Sequence, residues 1–269
     1  MSPVQIHPTA IVDPGAALDH DVHVGAYAII GPAVRIGRGT RVGSHTVIDG
    51  RTTIGCENQI FHHVSIGATP QDLKYRGEES TLVIGDHNQI REFATLHIGT
   101  SGGGMVTRVG DRNVLMNYSH IAHDCCLGHH NVVANGAQLA GHVVVEDYVI
   151  VGALVGVHQF VKVGASAILG AGAMVSQDVP PFCNATGDRA RLHGLNLVGL
   201  KRRGFDAEMV RRLKQAYRVV FHSGLKVADA VARAREEIPA SPEVEHFLSF
   251  VQSSKRGVCR ERELRVLSQ

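Results

Sequence analysis

Tryptophan is absent from the 269 residues, and aromatic side chains make up only 5% of them. Long apolar runs are missing too. The best candidate, Val143 to Val157, is broken by Glu146 and Asp147, short of the roughly 20 apolar residues a membrane-spanning helix requires. The opening Met1-Ser2-Pro3-Val4-Gln5-Ile6-His7 lacks the charged-then-apolar order of a secretory signal. Five cysteines, Cys125 and Cys126 adjacent, form neither a paired framework nor a Cys-x-x-Cys clip, which points to reduced thiols. These absences together lead to the expectation of a soluble, cytoplasmic protein with no membrane insertion.

Net charge is nearly absent as well, at +2, but the balance conceals an asymmetry. Residues 1–188 hold 10 Lys and Arg against 16 Asp and Glu, whereas residues 189–269 hold 17 against 9. A basic C-terminal part suits an acidic partner, a phosphate-bearing ligand or nucleic acid.

What the chain does have is a period of six. An aliphatic residue recurs at Ile6, Val12, Leu18, Val24, Ile30, Ile36, Val42, Ile48, Ile54, Ile60 and Ile66. The pattern returns at Ile84, Ile90 and Leu96, then runs one residue out of phase from Val109 to Val175. Helices repeat at 3.6 and half-buried strands at 2, so neither fits. A hexapeptide β-helix does: each hexad forms one flat side of a triangular coil, its aliphatic residue points inward, and three hexads close a turn. Small residues let the corners be tight, which accounts for the 30 glycines and the scarcity of aromatics. Residues eighteen apart become neighbours on stacked rungs about 4.8 Å apart.

The two interruptions read as loops expelled from the coil, near residues 68–82 and 99–108. The first carries Gln71-Asp72-Leu73-Lys74-Tyr75; the second carries Gly102-Gly103-Gly104, a run that could cradle a phosphate. Beyond Val179-Pro180-Pro181 the period stops. Asp206 caps an expected helix whose apolar face is Val210, Leu213, Tyr217, Val220 and Phe221, ended by Gly224. A second helix carries Val227, Val231, Ala234 and Ile238, and Ser241-Pro242 opens a third with Val244, Phe247, Leu248 and Val251 inside. The expected architecture is an all-β parallel β-helix over residues 1–187 and a small basic α-helical domain over residues 188–269.

Seventeen histidines is a large number for this length. His20, His45, His87, His129 and His130 fall at hexad corners, where an imidazole merely faces solvent. His123, His142 and His158 stand near the starts of hexads whose first residues, Ile121, Leu139 and Val157, are eighteen apart, so the expectation is a column of three imidazoles on one face. His123 is followed by Asp124, a carboxylate that can fix the ring's tautomer and stabilise an imidazolium. Adjacent residues on a flat strand point to opposite faces, so Asp124 reaches the ring only if the chain turns there. The column suits either a general base with neighbours that hold substrate or a zinc site of three imidazoles converging within about 2.1 Å of one ion.

Five segments resemble one family. Gln71–Tyr75, His120-Ile121-Ala122-His123-Asp124-Cys125, Leu139-Ala140-Gly141-His142-Val143, Val157-His158-Gln159-Phe160 and Gly199-Leu200-Lys201-Arg202-Arg203-Gly204-Phe205 occur in the order seen in the bacterial acyl-carrier-protein:UDP-N-acetylglucosamine O-acyltransferases that begin lipid A synthesis. The resemblance runs from Ile6 to the third helix. It implies a left-handed coil and a cytoplasmic homotrimer with sites in clefts between neighbours. It also implies metal-free transfer of an (R)-3-hydroxyacyl group from the phosphopantetheine of acyl carrier protein to the 3-hydroxyl of UDP-N-acetylglucosamine, with no other cofactor. His123 matches the general base, Asp124 its partner and the Gly141 N–H the oxyanion donor. Asp72, Lys74, His120, His142, His158 and Gln159 match substrate contacts, and Asn196, Arg202 and Arg203 the nucleotide end. Gly170 and Ala171 stand where relatives vary the residue limiting acyl length, and Ala171 implies a chain no longer than relatives with glycine accept. Val198 departs from the pattern, replacing a glutamate of some relatives. An acidic carrier protein, and not nucleic acid, is then the partner of the basic helices. A later N-acyltransferase of the same pathway has an extra domain ahead of its coil, whereas the repeat here begins at Ile6.

Overall fold

The computed structural model describes residues 2–261. Three faces of 11, 9 and 8 strands wind as a left-handed β-helix, each short strand of the coil pairing in parallel with the one a full turn away. The registers follow the hexads: Leu115 lies beside Val133, Ile121 beside Leu139, and Leu127 beside Val145. The hexad-leading residues fill the interior, with Ile30, Ile48, Ile66, Leu96, Ile121 and Leu139 all buried. Ile6 is 46% exposed because no rung stacks above it.

Most corners place one residue in the left-handed backbone region, where His, Asn and Asp are enriched among non-glycine residues. His45, His63, His87, His130 and His142 all occupy such positions, with φ between 57° and 62°. A good share of the histidine excess is therefore corner geometry. One corner stacks Tyr27, His45, His63, Phe93 and Tyr118 with ring centroids 4.9–5.3 Å apart.

Inside another corner runs a ladder of buried asparagines that the hexad reading does not single out. Asn88 donates from its side chain to Asn58 Oδ1 at 3.0 Å and accepts at Oδ1 from the Asn113 backbone N–H at 2.8 Å. Asn113 in turn accepts from Asn131 N at 2.8 Å. Asn88→Ala leaves the Asn113 N–H without its acceptor in a dry interior, so a loss of about 1–3 kcal/mol is expected in urea unfolding.

Both loops leave the coil at one corner, between the second and third faces. One joins Ser65–Ala68 to Thr81–Ile84, and the other joins Thr95–His97 to Val106–Val109 through a short 3₁₀ turn at Ser101–Gly103. Ser101 Oγ donates to Glu78 Oε1 at 2.8 Å and ties the loops together. Two rungs further along the same corner lies Leu139–His142.

At the base, Cys183–Thr186 and Arg191–Leu195 form an antiparallel hairpin, so the sheet continues past residue 188. Four helices follow: α1 Leu197–Arg202, α2 Ala207–His222, α3 Val227–Glu237 and α4 Pro242–Ser253. Asp206 caps α2 by accepting from Met209 N at 2.7 Å, Gly224 follows its end with φ 75°, and Ser241 caps α4. α1 has no counterpart among the expected helices, being too short to show a period. Residues 254–261 return to the coil, where Cys259 N donates to Asp178 O at 2.8 Å. The helical region expected to reach residue 269 lies partly outside the described residues. Among the described residues no helix is long and apolar enough to cross a membrane.

Candidate active site

The expected three-histidine column does not form. The three imidazoles sit at different places within their hexads, so each has other rung neighbours: His123 lies over Gly141, Asp124 beside His142, and His158 beside Ala140. What forms instead is a compact group at the corner below the loops. Asp124 adopts φ 60°, and this turn brings its carboxylate to the side of its neighbour's ring. His123 Nδ1 donates to Asp124 Oδ2 at 2.8 Å. His142 stands edge-on to His123, 5.1 Å between centroids, with its Nδ1 3.9 Å from the same carboxylate oxygen. Phe160 stacks on His142 at 4.3 Å and closes the other side.

Asp124 is held from the loop. Its side chain is fully buried and accepts from Thr100 N at 2.9 Å and Thr100 Oγ1 at 2.6 Å. Thr107 Oγ1 accepts from the Asp124 backbone N–H at 2.8 Å. The glycine run does not cradle a phosphate: Gly103 packs directly against the Asp124 carboxylate, which would repel one. A carboxylate that only accepts requires the His123 proton on Nδ1, which leaves Nε2 a bare acceptor.

Gly141 is dictated by the same ring. A Cβ there would stand 2.5 Å from His123 Cε1 and 2.7 Å from Nε2. Among the described residues its N–H donates to no acceptor.

Burial favours the neutral form of the surrounding imidazoles. Burial, then the neighbouring His120 and His123, push His97 down to about 4. Burial lowers His120, and it lowers His142 against the opposing pull of Asp124. His120 Nδ1 shares a 2.7 Å hydrogen bond with Thr95 Oγ1, and its ring meets His97 edge-on. Because the folded pKa of His97 lies below its unfolded 6.5, its stabilising contribution is whole above 6.5 and is lost as pH falls towards about 4. The thermal midpoint should therefore drop across that window, and less so in His97→Leu.

Relatives decide the family. The chain is 54% identical over 255 residues to the acyl-[acyl-carrier-protein]–UDP-N-acetylglucosamine O-acyltransferase of Thiobacillus denitrificans, covering 95% of this chain and 99% of that protein. The protein of the same name from Myxococcus xanthus is also 54% identical, over 256 residues, with the same coverage. This chain belongs to the acyl-[acyl-carrier-protein]–UDP-N-acetylglucosamine O-acyltransferases. The family profile described as Udp N-acetylglucosamine O-acyltransferase, Domain 2, matches residues 178–259. Among solved structures, LpxA from Acinetobacter baumannii superimposes with a TM-score of 0.93 at 43% identity, covering 95% of this chain and 99% of that one.

The residues that the resemblance to this O-acyltransferase family singled out are distributed over three corners. His123, Asp124, Gly141, His142, His158 and Gln159 share the corner from which the loop with Asp72 and Lys74 also leaves. Asp72 Oδ1 accepts from Lys74 N at 2.9 Å, and its carboxylate favours the charged form of His142. Asn196 and Arg203 lie at the corner between the third and first faces. Asn196 caps α1, accepting from Gly199 N at 3.0 Å and donating to Ser166 O at 3.0 Å, so its side chain is engaged within the fold. Arg203 contacts Ser166 Oγ and lies over the Tyr148 ring at 3.7 Å. Arg202 and Val198 are exposed on α1. Gly170 and Ala171 occupy the remaining corner, between the first and second faces. His158 stands apart from the imidazole pair, its Nδ1 3.2 Å from Arg256 Nη2.

Sequence reasoning missed His97, Thr100 and Phe160. Phe160 was findable, since it is eighteen residues beyond His142. Thr100 carries no periodic signal, being in a loop. His123, Asp124 and His142 are also the one set with ligand atoms within 4.8 Å of one another that could hold a metal among the described residues. Its carboxylate already accepts three hydrogen bonds, and it offers two imidazoles where the zinc reading asks for three.

Proposed function

We propose that this enzyme moves an (R)-3-hydroxyacyl group from the thioester of acyl carrier protein to the 3-hydroxyl of UDP-N-acetylglucosamine, the first step of lipid A synthesis, in the cytoplasm. The observation that carries the mechanism is the 2.8 Å contact from His123 Nδ1 to a buried carboxylate, which presents Nε2 as a base. His123 Nε2 takes the proton of the sugar hydroxyl as the oxygen attacks the thioester carbonyl. The oxyanion that develops is met by the unengaged N–H of Gly141. The tetrahedral species collapses by breaking the C–S bond, and the imidazolium returns its proton to the departing thiolate. Asp124 stays ionised throughout and holds the ring. No metal or cofactor takes part beyond the donor's phosphopantetheine.

Asp72, Lys74, His120, His142, His158 and Gln159 bind the sugar nucleotide and acyl donor around this base. Arg202 and Arg203, with Asn196 beside them, serve the nucleotide, and Gly170 and Ala171 limit acyl length. These groups lie on three corners of one chain, so a site that uses all of them is built between chains, as a homotrimer allows. Exposed Tyr118, Leu154 and Phe93, along the corner that carries Gly170, supply apolar surface for such packing.

The test is a mass-spectrometric product assay with UDP-N-acetylglucosamine and a ladder of 3-hydroxyacyl carrier proteins. An ester product is expected, with one preferred chain length. Transfer only to an amino-sugar acceptor, or from no 3-hydroxyacyl carrier, overturns the reading. In the same assay Lys74→Ala is expected to act chiefly by raising KM, being a binding group.

A further inference from the structure

A cavity of about 890 Å³ opens where the last rung, the hairpin and the helices meet. Arg189, Arg191 and Arg260 line it, and no Asp or Glu does. None of the three guanidiniums has an ion-pair partner among the described residues. The first residues of α3, Val227 and Ala228, form another part of the wall, and that helix start has no side-chain cap. Three unpaired guanidiniums and the positive end of a helix dipole turned to one hollow make a setting for a phosphate.

The position of the cavity relative to His123 narrows the choice of phosphate. Gln177, also in its wall, is the third rung neighbour of His123 at the same corner, through Gly141 and Gln159. Three rung spacings place it about 14 Å down the edge of the coil. That is comparable with the reach of an extended pantetheine arm. Between the two, Arg256 bridges Ser176 O and His158 Nδ1 at 3.2 Å each.

Granted the acyl transfer proposed above, we propose that the cavity lined by Arg189, Arg191 and Arg260 receives the phosphate of the donor's prosthetic arm, and that the arm lies along this corner with its thioester at His123. The guanidiniums neutralise the phosphate and fix the arm's far end, so the donor's reacting carbon arrives in register with the base.

The test compares acylated phosphopantetheine with acylated pantetheine as donors to the full chain. Wild type is expected to favour the phosphorylated donor by roughly tenfold or more in kcat/KM, the worth of about one good charge-assisted contact. In the triple variant Arg189→Ser, Arg191→Ser, Arg260→Ser the ratio should fall towards one, and each single substitution, gentler on the hairpin, should lower it in part. Inorganic phosphate should compete against the phosphorylated donor alone. A ratio near one in wild type, or an undiminished ratio in folded variants, overturns the proposal. Loss of inorganic phosphate binding in the variants with the donor ratio intact also overturns it, and assigns the cavity to a free anion. No transfer from either donor or from carrier protein would instead mark failure of the acyl-transfer reading beneath it.

Discussion

His123→Ala is expected to lower kcat by roughly two to four orders of magnitude, the usual contribution of a positioned base, while leaving KM for UDP-N-acetylglucosamine within a few-fold of wild type. The ring has one neighbour in each role the chemistry requires. Asp124 accepts the hydrogen bond of the Nδ1–H at 2.8 Å, burial favours the neutral form of His142 beside it, and Gly141 leaves room at Nε2. Removing the imidazole removes the group that changes charge in the transition state, whereas the residues proposed to hold the sugar remain. The loss therefore belongs in kcat. Folding should be little affected, because the backbone turn at this corner is set by Asp124 and by rung hydrogen bonds such as His142 N to His123 O at 3.0 Å. Full turnover by a purified, folded His123→Ala protein would end the assignment.

Much of this architecture is readable in advance because the coil imposes a strict rule. One inward side chain per hexad must be aliphatic, so a period of six is written into the chain from Ile6 to Val175. The same rule exposes the loops as interruptions, and N-cap chemistry at Asp206 and Ser241 marks two helices. Position within the hexad proved harder. His123, His142 and His158 are matched in the spacing of their units but not in their offsets, and the offset decides which residues share a rung. The reach of Asp124 was equally hidden, since strand alternation applies to the flat sides and a left-handed corner reverses it. Thr100, which fixes that carboxylate, comes from an expelled loop with no period to place it. Asn88 and its ladder partners escaped notice for another reason: asparagine reads as a surface residue until its amide is seen to bond from rung to rung.

The three corners also explain how a repetitive coil carries a specific site. A regular prism offers identical edges, so chemistry must come from what breaks the regularity. Here both loops leave from the edge that bears His123, and the second loop delivers Thr100 onto Asp124. The base is thus assembled where an expelled segment meets a corner, and the rest of the coil acts as a ruler that fixes distances along its axis.

That dependence on Asp124 sets the second large effect. Asp124→Asn is expected to lower kcat by roughly two to four orders of magnitude without unfolding the protein. The carboxylate accepts from Thr100 N at one oxygen, and from Thr100 Oγ1 and His123 Nδ1 at the other. An asparagine must place its NH₂ at one of these sites. Facing Thr100 N it would set donor against donor in a buried place, at a cost of about 1–3 kcal/mol. Facing the other site it meets a threonine hydroxyl, which can rotate to accept, and a histidine, which can accept only by moving its proton to Nε2. The second arrangement is the one the amide adopts. His123 then presents N–H where the base is needed, so the fold survives and the chemistry stops. Nitrogen NMR of the His123 ring should report protonation at Nδ1 in wild type and at Nε2 in the variant. An Asp124→Asn protein that keeps both its turnover and the Nδ1 tautomer would show that the carboxylate does not set the state of the base.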